Sequence, residues 1–209
     1  MAMSSRGRSP KLQQMLSYWE QRAPTYYIED PFGRAILKAF IDKLQPSSLI
    51  EIGCGNGELF SLYRRISSVV AVDWSENMLI RANQRKARHY LPNLRIWRHD
   101  ITQCSPQGHY DVAVTRTVLM HIPPEAIEKT VRHIVKCADR FLIFEYFETV
   151  PTETLAAHNW LHDYVPIFEK AGCELVESYT RPDLPQVLFQ FQKRKSADVP
   201  GAPENAKEA

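Results

Sequence analysis

Apolar positions along the 209-residue chain change their period repeatedly, and each change marks an element. Leu12, Met15, Leu16 and Trp19 stand at i, i+3, i+4 and i+7, which predicts an amphipathic helix over 11–23, stopped by Pro24. A second helix is expected from Pro31 to Leu44, with proline in its first turn. The run Leu49-Ile50-Glu51-Ile52 then reads as a strand, and Val69 to Asp73 is almost wholly apolar, as in a strand buried on both faces of a parallel sheet. Ser75 is placed to cap a helix from Glu76 to about His89. Further strands are expected over 94–100, 110–115, 141–146, 174–179 and 187–192. Helices are expected over 58–65, 124–138 and 158–171, the last ending at Gly172. Strands alternating with helices give a largely parallel sheet with helices on both faces. Only a short Pro182/Pro185 link joins the final two strands, too short for a crossover, so that pair is antiparallel.

Composition narrows the picture without deciding it. The chain is long enough for one α/β domain, and a net charge of +2 gives no general reason to expect a nucleic acid partner. A local basic group, Arg81, Arg85, Lys86, Arg88, Arg95 and Arg98, reads best as a solvated helix face and a strand end. The four cysteines form no C-x-x-C pair, and no zinc spacing of cysteine and histidine occurs, so no metal is expected. No stretch approaches the roughly 18 apolar residues of a membrane span. A polar leader over 1–10, a single domain over 11–193 and a polar tail over 194–209 are expected, with the leader and tail disordered and the chain in the cytoplasm.

The first strand runs into Glu51-Ile52-Gly53-Cys54-Gly55-Asn56-Gly57-Glu58. Glycines accept φ > 0 and let a ligand approach the backbone, and a helix start beyond them would present free N–H groups. The dinucleotide fingerprint G-x-G-x-x-G fails here, because Glu58 stands where its last glycine belongs. The pattern E-x-G-x-G-x-G instead resembles the first motif of the class I methyltransferases, which bind S-adenosylmethionine (SAM). The resemblance extends over 48–146 through Val72-Asp73-Trp74-Ser75-Glu76-Asn77-Met78, His99-Asp100-Ile101, Tyr110 to Thr115 and Val118 to Pro123. It implies a three-layer α/β sandwich with a seven-stranded sheet whose last strand is inserted antiparallel. The segment from Tyr18 to Tyr27 resembles the lid of small-molecule members, so residues 11–46 are expected to form lid helices. A Pro-Gly-Gly turn common before the fifth strand is replaced here by Cys137-Ala138-Asp139-Arg140.

In open α/β sheets ligands bind beyond the carboxyl ends of the strands, and the polar residues of this chain gather there. Asp73 can accept from both ribose hydroxyls, and Trp74 can pack on adenine. Asp100 and Ile101 offer an acceptor for the adenine amino group and an apolar wall. Glu51 suits the methionine ammonium. With the resemblance, Gly53, Cys54, Gly55, Gly57, Met78, Thr115 and Arg116 complete the expected cofactor set, with S-adenosylhomocysteine (SAH) as product.

The acceptor side is less defined. Thr115-Arg116-Thr117-Val118 follows the fourth strand where families that resemble base- or amide-methylating enzymes carry an Asp/Asn-Pro-Pro-Tyr type of motif, so neither DNA nor a glutamine side chain is expected as the acceptor. His121 is the general-base candidate, since imidazole titrates near neutrality. Tyr18, Arg22, Tyr26 and Tyr27 from the lid, and Glu145, Tyr146, His158, His162 and Tyr164, are expected to surround the acceptor. The Arg116 fork favours a small polar or anionic acceptor. The leading function is methyl transfer to O or N of a small molecule. Methylation of RNA or protein, an NAD-dependent oxidoreductase, which lacks an evident Tyr-x-x-x-Lys here, and a non-enzymatic SAM-binding module are the competing readings.

Overall fold

The computed structural model describes residues 9–27, 29–147 and 159–195. Almost all of the expected leader and tail, and His158 with the start of the helix expected there, lie outside the described residues. Seven strands form one sheet: β1 Ser48–Ile52, β2 Ser68–Asp73, β3 Leu94–Arg98, β4 Tyr110–Arg116, β5 Ala138–Tyr146, β6 Cys173–Thr180 and β7 Gln186–Lys193. Their order is β3-β2-β1-β4-β5-β7-β6. β1 pairs in parallel with β2 and β4, and β7 is antiparallel to both β5 and β6. The antiparallel closing pair thus follows from its short link, as expected.

Among the described residues five α-helices flank the sheet: α1 Pro10–Arg22, α2 Pro31–Leu44, α3 Glu76–His89, α4 Pro124–Ile134 and α5 Tyr164–Lys170. Each apolar strand alternates between two cores. Leu49, Val69, Ala71, Val112 and Val114 meet Leu37, Ile41, Leu79 and Ala82 of α2 and α3. Ile50, Ile52, Val70, Ala113 and Phe141 meet Ile127, Val131, Ile134 and Phe168 of α4 and α5. Both faces of the central strands are therefore dry, which explains their unbroken apolar runs.

One expected element is replaced. Residues 58–65 form no α-helix but a 3-10 turn over Phe60–Tyr63. Gly57 at φ 80° sets the chain into a series of three-residue turns, closed by Phe60 N–H to Gly57 O, Leu62 N–H to Leu59 O and Ile66 N–H to Tyr63 O. Phe60 and Tyr63 are fully buried in the process. α5 begins only at Tyr164, after an irregular stretch over 159–163. Among the described residues no helix is long and apolar enough to cross a membrane.

Candidate active site

The chain reverses its direction of sheet growth at β1, with β2 on one side and β4 on the other, and a cleft opens at the carboxyl ends of these strands. Its floor is the glycine turn. Gly53 N–H and Cys54 N–H both donate to Val72 O, at 2.8 and 3.0 Å, so the turn stays locked to β2 as it leaves the sheet. Gly53 and Gly57 are required for packing. A Cβ on Gly53 would sit 2.9 Å from Val118 Cγ1, and one on Gly57 would sit 2.5 Å from the Phe60 ring. At Gly55 the nearest atom to such a Cβ is Tyr26 Cε1 at 3.9 Å, so this glycine faces open space. Because no helix follows the turn, the helix start expected to cradle the ligand is missing.

Asp73 does the clamping instead. Its Oδ2 accepts from Gly55 N–H at 2.8 Å and its Oδ1 from Ser75 N–H at 2.9 Å. Ser75, as expected, caps α3 by accepting from Met78 N–H. Burial pushes the Asp73 carboxyl up to about 6, against the pull of these backbone donors. Each carboxylate oxygen has a further lone pair, and Asp73 lines the cleft.

The cleft holds about 810 Å³ of empty space, part of it open to solvent. Gly53, Gly55, Asp73, Trp74, Met78, Asp100, Ile101 and Arg116 of the expected cofactor set line it, and so do Tyr26 and His121. Asp100 Oδ1 accepts from the Thr102 amide and hydroxyl at 3.0 and 2.6 Å, which fixes the carboxylate at the cleft wall. Glu51 and Cys54 line a smaller adjoining cavity with Tyr26, Glu58, Arg116 and Thr117. Glu51 Oε2 and Glu58 Oε1 are buried there without hydrogen-bond partners. Burial raises Glu51 to about 8, offset in part by the nearby Tyr63 hydroxyl, although that hydroxyl completes no hydrogen bond of proper geometry. Burial also raises Glu58, against the pull of Arg116 and Arg34. Gly57 and Thr115 line neither space. Gly57 shapes the turn, and the fully buried Thr115 donates to Glu145.

α1 roofs the cleft. Leu12, Met15 and Trp19 point into it, and the Trp19 ring meets His121 edge-on at 4.8 Å and Tyr26 at 5.4 Å. Glu20 accepts from Glu76 N–H and Asn77 N–H at the start of α3, at 2.8 and 3.2 Å. Arg81 donates to the carbonyls of Ala23 and Tyr26, and Asn56 also donates to Tyr26 O. Two of the six grouped basic residues are thereby structural, since Arg98 likewise bonds Trp74 O. Burial and the Glu58 charge raise the Tyr26 hydroxyl to about 12. Tyr18 packs on Trp19 rather than lining the cleft, Arg22 bonds Thr25, and Tyr27 is exposed beside Glu29.

The acceptor set expected from sequence largely disperses. Arg116 is already paired through its two terminal nitrogens, donating to Asp30 at 2.6 Å and to Glu58 at 2.9 Å, while Arg181 joins Asp30 at 2.5 Å; the buried Arg116 Nε has no hydrogen-bond partner. Glu145 is fully buried beneath the turn after β4, and Tyr146 ends β5 opposite Gln186. His162 bonds Ile122 O at 2.9 Å, and burial lowers its pKa. Tyr164 is buried in the core against Phe189. Among the described residues of the non-lid acceptor set, His121 alone lines the cleft. His99, Thr102, Thr117 and Val118 line it without having been singled out. Thr117 stands at φ 51°, a left-handed conformation that nothing in its sequence announces.

Residues 49–139 match a family model described as a methyltransferase domain. No curated protein sequence matches the chain. Among solved structures, magnesium protoporphyrin IX methyltransferase from Synechocystis PCC 6803 with bound SAM is similar at 16% identity and TM-score 0.71, covering 91% of this chain and 100% of that one. A DhpI–SAM–HEP complex is similar at 16% identity and TM-score 0.68, covering 92% and 100%. A SAM-dependent methyltransferase from Clostridium acetobutylicum aligns at 8% identity and TM-score 0.66, covering 87% and 99%. A glycine turn clamped by Asp73, the β7 strand inserted antiparallel and the family match agree: residues 49–139 are similar to a methyltransferase domain, and the chain has the seven-stranded α/β fold of the similar structures.

Proposed function

We propose that the chain transfers the methyl group of SAM to an oxygen or nitrogen of a small, neutral acceptor, with His121 as general base. The observation that carries this reading is one continuous cleft, running from the Gly55–Asp73 clamp to His121 under the roof of Trp19. The residues present suit the cofactor. Gly55 leaves room for a close approach, Asp73 and Asp100 offer acceptors, and Trp74, Met78 and Ile101 offer apolar walls. The two buried carboxylate oxygens of Glu51 and Glu58 without partners suit a cationic ammonium. When bound, SAM supplies a methyl group on a cationic sulfur. His121 then accepts the proton that the attacking hydroxyl or amine loses, and α1 excludes water. Small-molecule action is supported by the similar structure named for magnesium protoporphyrin IX. The charge of Arg116 is balanced by Asp30 and Glu58, and the mouth by His121 is lined by Trp19, Val118 and Ile122. An acceptor with an apolar body and one protic group fits this mouth better than an anion, a revision of the acceptor suggested by the sequence.

Calorimetry tests the reading. SAH should bind in the micromolar range, about 7–8 kcal/mol, and NADH should not. His121→Ala should keep SAH affinity within about twofold and lower turnover by roughly 10²-fold on any acceptor found by screening. No heat with SAH, or clear binding of NADH, refutes it. A His121 variant that loses thermal stability but keeps its turnover leaves His121 a packing residue.

A further inference from the structure

The turn after β4 carries the residues nearest the proposed chemistry, and its backbone is strained. Thr117 lies at φ 51°, where a β-branched residue is a genuine outlier. Val118 follows in the right-handed region. A left-handed residue followed by a right-handed one turns successive N–H groups inward, forming a concavity that ordinarily takes an anion. Here the chain fills it with its own carboxylate. Glu145 Oε1 accepts from Val118 N–H at 2.9 Å, Leu119 N–H at 3.0 Å and the Thr115 hydroxyl at 3.2 Å, while Oε2 lies 3.4 Å from Met120 N–H. Glu145 is wholly buried and lines neither cavity. Thr117 lines both, Val118 packs against Gly53 of the cofactor turn, and His121 ends the same turn.

We infer that Glu145 is a positioning residue, an internal carboxyl whose oxygens hold Thr117 in its left-handed conformation and so set both Val118 against the cofactor turn and His121 against the acceptor. The inference rests on the reading that this cleft binds SAM and SAH. Burial of the carboxylate is the cost of the device, and its four donors are the compensation.

SAH affinity tests it without any acceptor. Glu145→Ala should weaken SAH binding about tenfold or more in a protein that still melts cooperatively. Glu145→Gln keeps one acceptor oxygen and should lose threefold or less. The decisive readout is rescue. Glycine adopts φ > 0 freely, so adding Thr117→Gly to Glu145→Ala should recover at least half of the lost affinity on a logarithmic scale. Asp111→Asn is the control. Asp111 accepts from Ser47 N–H and Ser48 N–H at the opposite end of the sheet, so its variant should lose thermal stability and keep SAH affinity. If Glu145→Ala fails to fold, the same rescue is read from Glu145→Gln with and without Thr117→Gly, through SAH affinity and the His121 imidazole resonances. A folded Glu145→Ala that binds SAH within twofold of the parent, or a double variant with no recovery, overturns the inference. A parent chain that binds no SAH overturns the functional reading, and this inference with it.

Discussion

Two turns face each other across the cleft, one after β1 and one after β4, and each is clamped by a carboxylate at the end of the neighbouring outer strand. Asp73 at the end of β2 holds the first through Gly55 N–H, and Glu145 near the end of β5 holds the second through Val118 and Leu119 N–H. The device is the same, but the backbones it holds differ. The first turn places glycines at φ 71°, 51° and 80°, where they meet little conformational penalty. The second places a threonine at φ 51°. Such a residue persists only where its surroundings over-determine it, and strain of this kind gathers at functional sites. The turn after β1 is thus permissive in sequence and fixed by packing, whereas the turn after β4 is fixed against its own preference.

The contrast breaks most visibly at Gly53, where the two turns touch. Gly53→Ala adds a Cβ 2.9 Å from Val118 Cγ1, at a φ of 71° that alanine disfavours. Backbone strain and overpacking each cost about 1–3 kcal/mol. The variant should lose about 2–4 kcal/mol of stability in denaturant titrations, and SAH affinity should fall more than about a hundredfold. Gly55→Ala meets no such wall, its nearest neighbour being Tyr26 Cε1 at 3.9 Å. It should keep more stability than Gly53→Ala while still weakening SAH. Equal stability losses would mean that the Val118 contact does not set the spacing of the two turns.

This difference also explains what the sequence made legible. Local pattern reached the seven strands, the antiparallel closing pair and the gathering of the glycine turn, Asp73 and Asp100 at one cleft, because glycine spacing, strand-end carboxylates and apolar runs are short-range signals. It overreached at 58–65, where Gly57 and the burial of Phe60 and Tyr63 favour three-residue turns over a helix. It said least about the residues expected around an acceptor, whose surroundings are fixed by partners far apart in the chain. Arg116 looks like an anion fork until Asp30, 86 residues away, occupies it. Glu145 looks like a pocket carboxylate until the N–H groups of 118 and 119 surround it. Thr117 carries no signal at all, since nothing but the fold places a threonine at positive φ.

Both clamps and Glu51 are carboxyls raised by burial, Asp73 to about 6, Glu145 to about 7 and Glu51 to about 8. Unfolded, each ionises near the ordinary carboxylate value of about 4. A carboxyl raised in the fold contributes its full stabilisation below the unfolded value, and loses it as pH rises through the folded value. Burial lowers His89, His133 and His162, so these act in the opposite sense, but only below about pH 6.5. From about pH 6.5 to 8.5 the carboxyls dominate, and the melting temperature should fall. About 2 kcal/mol over this span corresponds to roughly 4–8 °C for a chain of this size. Glu51→Gln, which is neutral at every pH, should flatten most of the slope. A slope unchanged in that variant would remove Glu51 as its source.

A third carboxylate clamp differs from both in lying at the surface. Glu20 on α1 accepts the N–H groups of Glu76 and Asn77, the first two residues of α3, and so ties the roof of the cleft to the helix beyond Asp73. A carboxylate at a helix start satisfies donors that have no partner within the helix and faces the positive end of the helix dipole. Capping interactions of this type are worth about 0.5–2 kcal/mol, and exposure puts Glu20 toward the lower part of that range. Arg81 and Asn56 hold the segment behind it through the carbonyls of Ala23 and Tyr26, so loss of Glu20 should loosen α1 without releasing it. Glu20→Ala should therefore leave the melting temperature within about 2–4 °C of the parent, as expected for about 1 kcal/mol. SAH dissociation measured by stopped flow should speed up about fivefold, the same free energy expressed in the release rate. Glu20→Gln should fall between the two, since the amide keeps one acceptor but not the charge. If dissociation is unchanged while amide exchange over 11–22 accelerates, α1 is a surface helix rather than a gate. If neither changes, the two hydrogen bonds from α3 contribute nothing to holding the roof in place.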